Sequence, residues 1–128
     1  MAVSEEKMKS VLAAYIDGYA NSDPEALAGL FAEDAVWEDP VGSTPLRGRQ
    51  EILAFIGSAT ADTYLTLDTE IRASHGNEAA MAFTIDTVIE GKPTRIKAID
   101  VMTLDDDGKI SSMRAYWGPS DVTELPQN

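Results

Sequence analysis

Three polar side chains sit where the sequence pattern calls for apolar ones. In Ile96-Lys97-Ala98-Ile99-Asp100-Val101-Met102 the side chains of a strand alternate between two faces. Asp100 falls on the face of Ile96, Ala98, Met102 and Leu104, so it points into the core. An ionised carboxylate there is costly. Either a cation such as Arg114 pairs with it, or desolvation keeps it protonated and it becomes a neutral hydrogen-bond donor. Asp39 ends Ala35-Val36-Trp37-Glu38-Asp39 and shares a face with Ala35 and Trp37. Asp before Pro is a common turn device. At the mouth of an apolar pocket the same carboxylate can take a proton from carbon, and partial desolvation makes it a better base. Tyr15 lies on the inner face of a helix pattern, as a core aromatic or as a donor aimed into the pocket. Tyr19 follows one helical turn further along.

The rest of the composition removes other chemistries. The 128-residue chain has 10 Lys and Arg against 22 Asp and Glu, a net charge of −12. That opposes nucleic acid and anionic membrane surfaces alike. There is no cysteine, and His75 is the single histidine, which sits in the polar turn Ser74-His75-Gly76-Asn77. Disulfides, thiolate metal sites and cysteine nucleophiles are excluded, and a His-rich metal site or a Ser-His-Asp triad is poorly supported. No metal or cofactor is expected. In the acidic run Asp105–Asp107, Gly108 comes too soon for a calcium loop and no Glu follows at the required distance, so it reads as a turn. No signal-like or membrane-length apolar run is present, which makes a soluble cytoplasmic protein the default. The length suits one domain over residues 1–128.

The elements that must carry these residues follow from periodicity. Ser4 caps a first helix whose Met8, Val11, Leu12, Tyr15 and Tyr19 share a face. Asp23-Pro24 opens a short second helix bearing Leu27, Leu30 and Phe31. Residues 34–39 read as a strand, and a third helix runs from about Arg49 to Ala59. Strand patterns then cover Tyr64–Arg72, residues 79–90, Thr94–Leu104 and residues 109–117, with turn signals at Glu90-Gly91 and Asp107-Gly108. The tail after Gly118, with Pro119 and Pro126, reads as irregular. Helices first and antiparallel strands last give an α+β fold: three helices packed on a curved, mostly antiparallel sheet, with a pocket between the layers. Trp37, Phe55, Met81, Phe83, Met113 and Trp117 are the apolar residues available to line it.

The chain resembles the bacterial ketosteroid isomerases. The segment Phe31-Ala32-Glu33-Asp34-Ala35-Val36-Trp37-Glu38-Asp39-Pro40-Val41-Gly42-Ser43 carries the likeness, with Asn77–Thr84, Ile99-Asp100 and Gly108–Ala115 in matching order from about Met8 to Gly118. The wider group is the cone-shaped nuclear transport factor 2-like fold, which hosts many functions. The resemblance implies a steroid delta-isomerase that needs no cofactor. Asp39 falls on the proton-shuttling base, and Tyr15 and Asp100 on the two oxyanion-hole donors. It also implies a homodimer formed through the outer sheet face, where Ile99 and Val101 lie. Phe31 and Ile56 stand where some members carry further tyrosines behind the oxyanion tyrosine, so that support is expected to be missing. Thr87 and Trp117 stand where other aromatics are usual. A cyclase or hydrolase of the same fold, or a module that only binds an apolar molecule or a protein partner, are the alternatives.

Overall fold

The computed structural model describes residues 3–126. Helix α1 spans Glu5–Ala20 and starts where the Ser4 hydroxyl accepts the Lys7 N–H at 3.1 Å, with Glu5 and Glu6 at the positive end of the helix dipole. Helix α2, Pro24–Ala28, is capped by Asp23, which accepts the Ala26 N–H. Helix α3 spans Arg49–Ala59. The strands are β1 (Phe31–Glu38), β2 (Leu46–Arg47), β3 (Tyr64–Leu67), β4 (Glu78–Ile89), β5 (Lys92–Leu104), β6 (Ile110–Tyr116) and β7 (Val122–Glu124).

They form one sheet in the order β2-β1-β6-β5-β4-β3, with β7 added to β5. Only the β1–β6 pair is parallel among the described residues. The three helices cover one face, as the sequence pattern requires. Met8, Leu12, Leu27, Phe31, Ile52, Ile56, Met102 and Ile110 meet in the core between the layers. The β4–β5 hairpin turns at Glu90 (φ 51°) and Gly91 (φ 78°), the doubly positive φ that two-residue hairpin loops use. Between β5 and β6 the Asp105 carboxylate accepts the N–H groups of Asp107 and Lys109, so the acidic run serves as a turn.

Three expectations need correction. The second helix ends at Ala28 without the expected Leu30 and Phe31, and the first strand begins at Phe31, three residues early, because the Ile110 N–H reaches across to the Leu30 carbonyl and draws this stretch against β6. The strand expected over Tyr64–Arg72 stops at Leu67, and Arg72 makes only an isolated bridge to Ala80. At Asp68 the backbone N–H still reaches the Ala82 carbonyl at 2.9 Å and the carboxylate accepts the Thr84 hydroxyl at 2.9 Å, after which the regular pairing ends. The tail is ordered: Gly118 N–H binds the Asp121 carboxylate at 2.8 Å, a turn of 3-10 helix follows, and β7 pairs with Thr94–Ile96. That stretch of β5 lies beyond the reach of β6, whose register with β5 starts at Ile99, so its edge takes the tail as partner. Residues 1, 2, 127 and 128 of the expected 1–128 domain lie outside the described residues. Among the described residues no helix is long and apolar enough to cross a membrane.

Candidate active site

A cavity of about 400 Å³ opens between the helices and the concave face of the sheet. Strand alternation delivers Asp100 into it. On β5 the even-numbered positions from Thr94 to Leu104 are buried and the odd-numbered ones between them are exposed or half-buried, and Asp100 is 1% exposed, flanked across the ladder by Met81 on β4 and Ala115 on β6. Its Oδ1 has no hydrogen-bond partner. The ion pair with Arg114 does not form. Arg114 lies on the outer face, 3.5 Å from Glu38 and stacked over Tyr116, because its position on β6 alternates outward. Burial, with the negative charge of Asp39 second, holds the Asp100 carboxyl well above the usual carboxylate range.

Asp39 follows the last residue of β1 and is half-buried. Its Oδ1 accepts the Trp117 indole N–H at 2.8 Å. Burial raises its pKa and the indole bond opposes the rise. The two carboxyl groups thus share a cavity but differ in support. Asp39 keeps a donor that favours its charge, while Asp100 has none and is sealed in. Burial raises both groups, Asp100 the further, so Asp39 is the more acidic of the two.

Tyr15 is 3% exposed and its ring stands 5.2 Å from that of Tyr19, edge-on, with Phe31 and Trp37 on its other sides. The neighbouring hydroxyls act on each other in opposite senses, Tyr19 raising the Tyr15 pKa and Tyr15 lowering that of Tyr19, as when Tyr15 points its proton toward Tyr19. Burial first, then the neighbouring acidic groups, keeps the Tyr15 hydroxyl protonated well past its ordinary range. Tyr19 is pushed up to about 12 by burial, against the bond from Tyr15, which lowers it. Tyr15, Asp39, Asp100, Trp37, Phe55, Phe83 and Trp117 therefore line one cavity. Met81 and Met113 are not part of its lining; each is 1% exposed in the core.

A model of the SnoaL-like domain matches residues 12–113. The chain belongs to the SnoaL-like domain family. A steroid delta-isomerase of Nocardioides simplex is 40% identical over 120 residues, covering 94% of this chain and 97% of that protein. The epoxide hydrolase LasB of Streptomyces lasalocidi is 28% identical over 92% of this chain, which spans only 44% of that protein. The solved structure of the epoxide hydrolase/cyclase-like enzyme SalBIII superposes with a TM-score of 0.86 at 28% identity, covering 94% of this chain and 97% of that one.

In this SnoaL-like chain the sequence reading passed over several cavity residues. Tyr19 was visible on the helix face but had no reason to outrank Tyr15. Phe31 and Ile56 are apolar and buried, so no tyrosine stands at those two positions, and Tyr19 is the tyrosine beside Tyr15, ring centroids 5.2 Å apart. Leu65, Ile85, Ile96, Thr63 and Thr87 complete much of the wall. Thr87 is a pocket position already by the resemblance, and the signal for Ile85 is the two-residue step from Phe83. That step leads outward along β4, away from Met81. Among the described residues no group of His, Cys, Asp or Glu could hold a metal ion.

Proposed function

We propose that the chain is a steroid delta-isomerase that moves the double bond of a 3-oxo-Δ5-steroid into conjugation. The observation that carries the reading is the sealed, unpartnered Asp100 carboxyl facing the same apolar cavity as an indole-held Asp39. The 40% identity to a steroid delta-isomerase over nearly the whole chain supports it.

The Asp39 carboxylate removes a proton from C4, and the electrons move into the ring to give a dienolate with its charge on the C3 oxygen. Tyr15 and protonated Asp100 donate hydrogen bonds to that oxygen. Donors fixed in a dry site stabilise developing charge strongly, about 10²–10³-fold in rate for one donor. Asp39 then returns its proton at C6, so the carboxylate is regenerated and no atom is gained or lost. Trp37, Phe55, Phe83 and Trp117 supply flat apolar surface for the rings. The chemistry asks for no metal and no cofactor.

The proposal extends to one domain that acts in the cytoplasm as a homodimer. Ile99 and Tyr116, neighbours across β5 and β6, are 49% and 43% exposed on the outer sheet face and support a second copy there.

The test is the ultraviolet absorbance of the conjugated enone after mixing the protein with 5-androstene-3,17-dione. The expected result is a rise that Asp39→Asn abolishes while steroid binding persists. No rise with the folded wild-type protein, or an equal rise with Asp39→Asn, overturns the mechanism.

A further inference from the structure

The cavity has polar groups at both ends. Asp100 faces Met81 across the ladder, and Thr87 lies six residues further along β4 in register with Thr94. At about 3.3 Å per residue that is a contour of roughly 20 Å, shortened in space by the curl of the sheet. The length is of the order of a four-ring skeleton with a hydrogen bond at either end. Between the two ends the wall is apolar, with Phe83, Ile85, Ile96 and Leu65.

At the far end the hydroxyls of Thr63 and Thr87 lie 2.9 Å apart, and both residues line the cavity. Thr63 is 7% exposed. Two hydroxyls carry two protons, and the bond between them uses one. The accepting hydroxyl retains a proton for a further acceptor, already polarised by its partner. Ser58 offers nothing equivalent, since its hydroxyl is committed to the Phe55 carbonyl at 2.8 Å.

We propose that Thr63 and Thr87 form a distal subsite that recognises an oxygen substituent at the steroid end remote from the reacting ketone. This rests on the isomerase reading and names its substrate class. The favoured steroids carry a ketone or hydroxyl at C17, and those with a hydrocarbon at that position are disfavoured. A C17 ketone can only accept, and it takes the free threonine proton. Burying a hydroxyl pair against a C17 hydrocarbon leaves that proton unsatisfied.

The test separates recognition from catalysis by using the conjugated products as probes. Binding of 4-androstene-3,17-dione and of its 17-deoxy analogue 4-androsten-3-one is read by quenching of Trp37 and Trp117, both of which line the cavity. The wild-type protein is expected to favour the dione by roughly two- to tenfold, the value of one neutral hydrogen bond. The double variant Thr63→Val/Thr87→Val, of nearly the same shape, should bring that ratio close to one, and Thr63→Ser/Thr87→Ser should keep it. Circular dichroism confirms that each variant is folded. Equal affinities in the wild-type protein, a preference that survives Thr63→Val/Thr87→Val, or no binding of either steroid overturns the subsite. Failure of the isomerase reading shows separately, as an absence of enone formation from the Δ5 substrate.

Discussion

The indole N–H of Trp117 donates to Asp39 Oδ1 at 2.8 Å, joining positions 78 residues apart in the chain. A donor on a carboxylate oxygen favours the ionised form, so this bond works against the upward push of burial on Asp39. Trp117→Phe keeps an aromatic wall and removes the donor. The Asp39 pKa then rises further. A base must be ionised to act, so the acid limb of kcat/KM moves to higher pH in the variant. The pH profile of enone formation checks this. An unmoved limb would mean that the indole does not support the charged carboxylate.

Tyr15 and Tyr19 pose a question of who touches the substrate. Tyr15→Phe removes an oxyanion donor and should lower kcat by about 10²–10³. Tyr19→Phe leaves that donor in place and removes only the neighbouring hydroxyl, for a loss of roughly tenfold or less. Because Tyr19 acts through Tyr15, the double variant should be no slower than Tyr15→Phe alone. Losses that multiply would place the Tyr19 hydroxyl on the steroid oxygen itself.

Asp100 predicts a pH-dependent stability. Burial raises its folded pKa, so the folded chain keeps a proton there that the unfolded chain releases above the ordinary carboxylate range. Where the unfolded state binds fewer protons, stability falls as pH rises. The contribution of Asp100 is thus fully present below the unfolded value and is lost as pH climbs through the folded one. Asp100→Asn keeps a donor of similar shape and never ionises. Its urea midpoint should exceed that of the wild-type protein at neutral pH, by a margin that widens from pH 5 to pH 8. A constant margin would show that Asp100 carries its charge in the folded chain.

Much of this was legible in the residues and part was not, for physical reasons. Asp100 was legible because a strand has a fixed period of two, and one ionisable group on an apolar face has few explanations. Helix α3 matched its expected ends because its neighbours, Gly48 and the polar Thr60–Asp62 turn, interrupt the pattern on both sides. Strand β7 was illegible because it forms only where β5 outruns β6, and a vacant edge is a property of the assembled sheet. The Asp39–Trp117 and Thr63–Thr87 pairs are long-range in sequence, 78 and 24 residues apart, and no local spacing encodes them. Met81 and Phe83 share a strand face, so alternation could not tell the cavity wall from the packed floor.

That last distinction gives a pair of variants with opposite signatures. Met113 is 1% exposed in the core, whereas Phe55 is 44% exposed with its ring 5.7 Å from that of Trp37 over the cavity. Met113→Ala removes packed atoms from a site that cannot fully collapse, at a cost of about 2–5 kcal/mol in unfolding free energy. Its steroid affinity at a temperature where it stays folded should change little. Phe55→Ala gives up surface that water already reaches, so its urea midpoint should move far less. Its steroid affinity should fall severalfold, because a bound ring system loses an aromatic neighbour. Urea unfolding and tryptophan quenching on both variants read the two quantities independently. If Phe55→Ala proves the more destabilised and Met113→Ala the weaker binder, the division between wall and core is reversed.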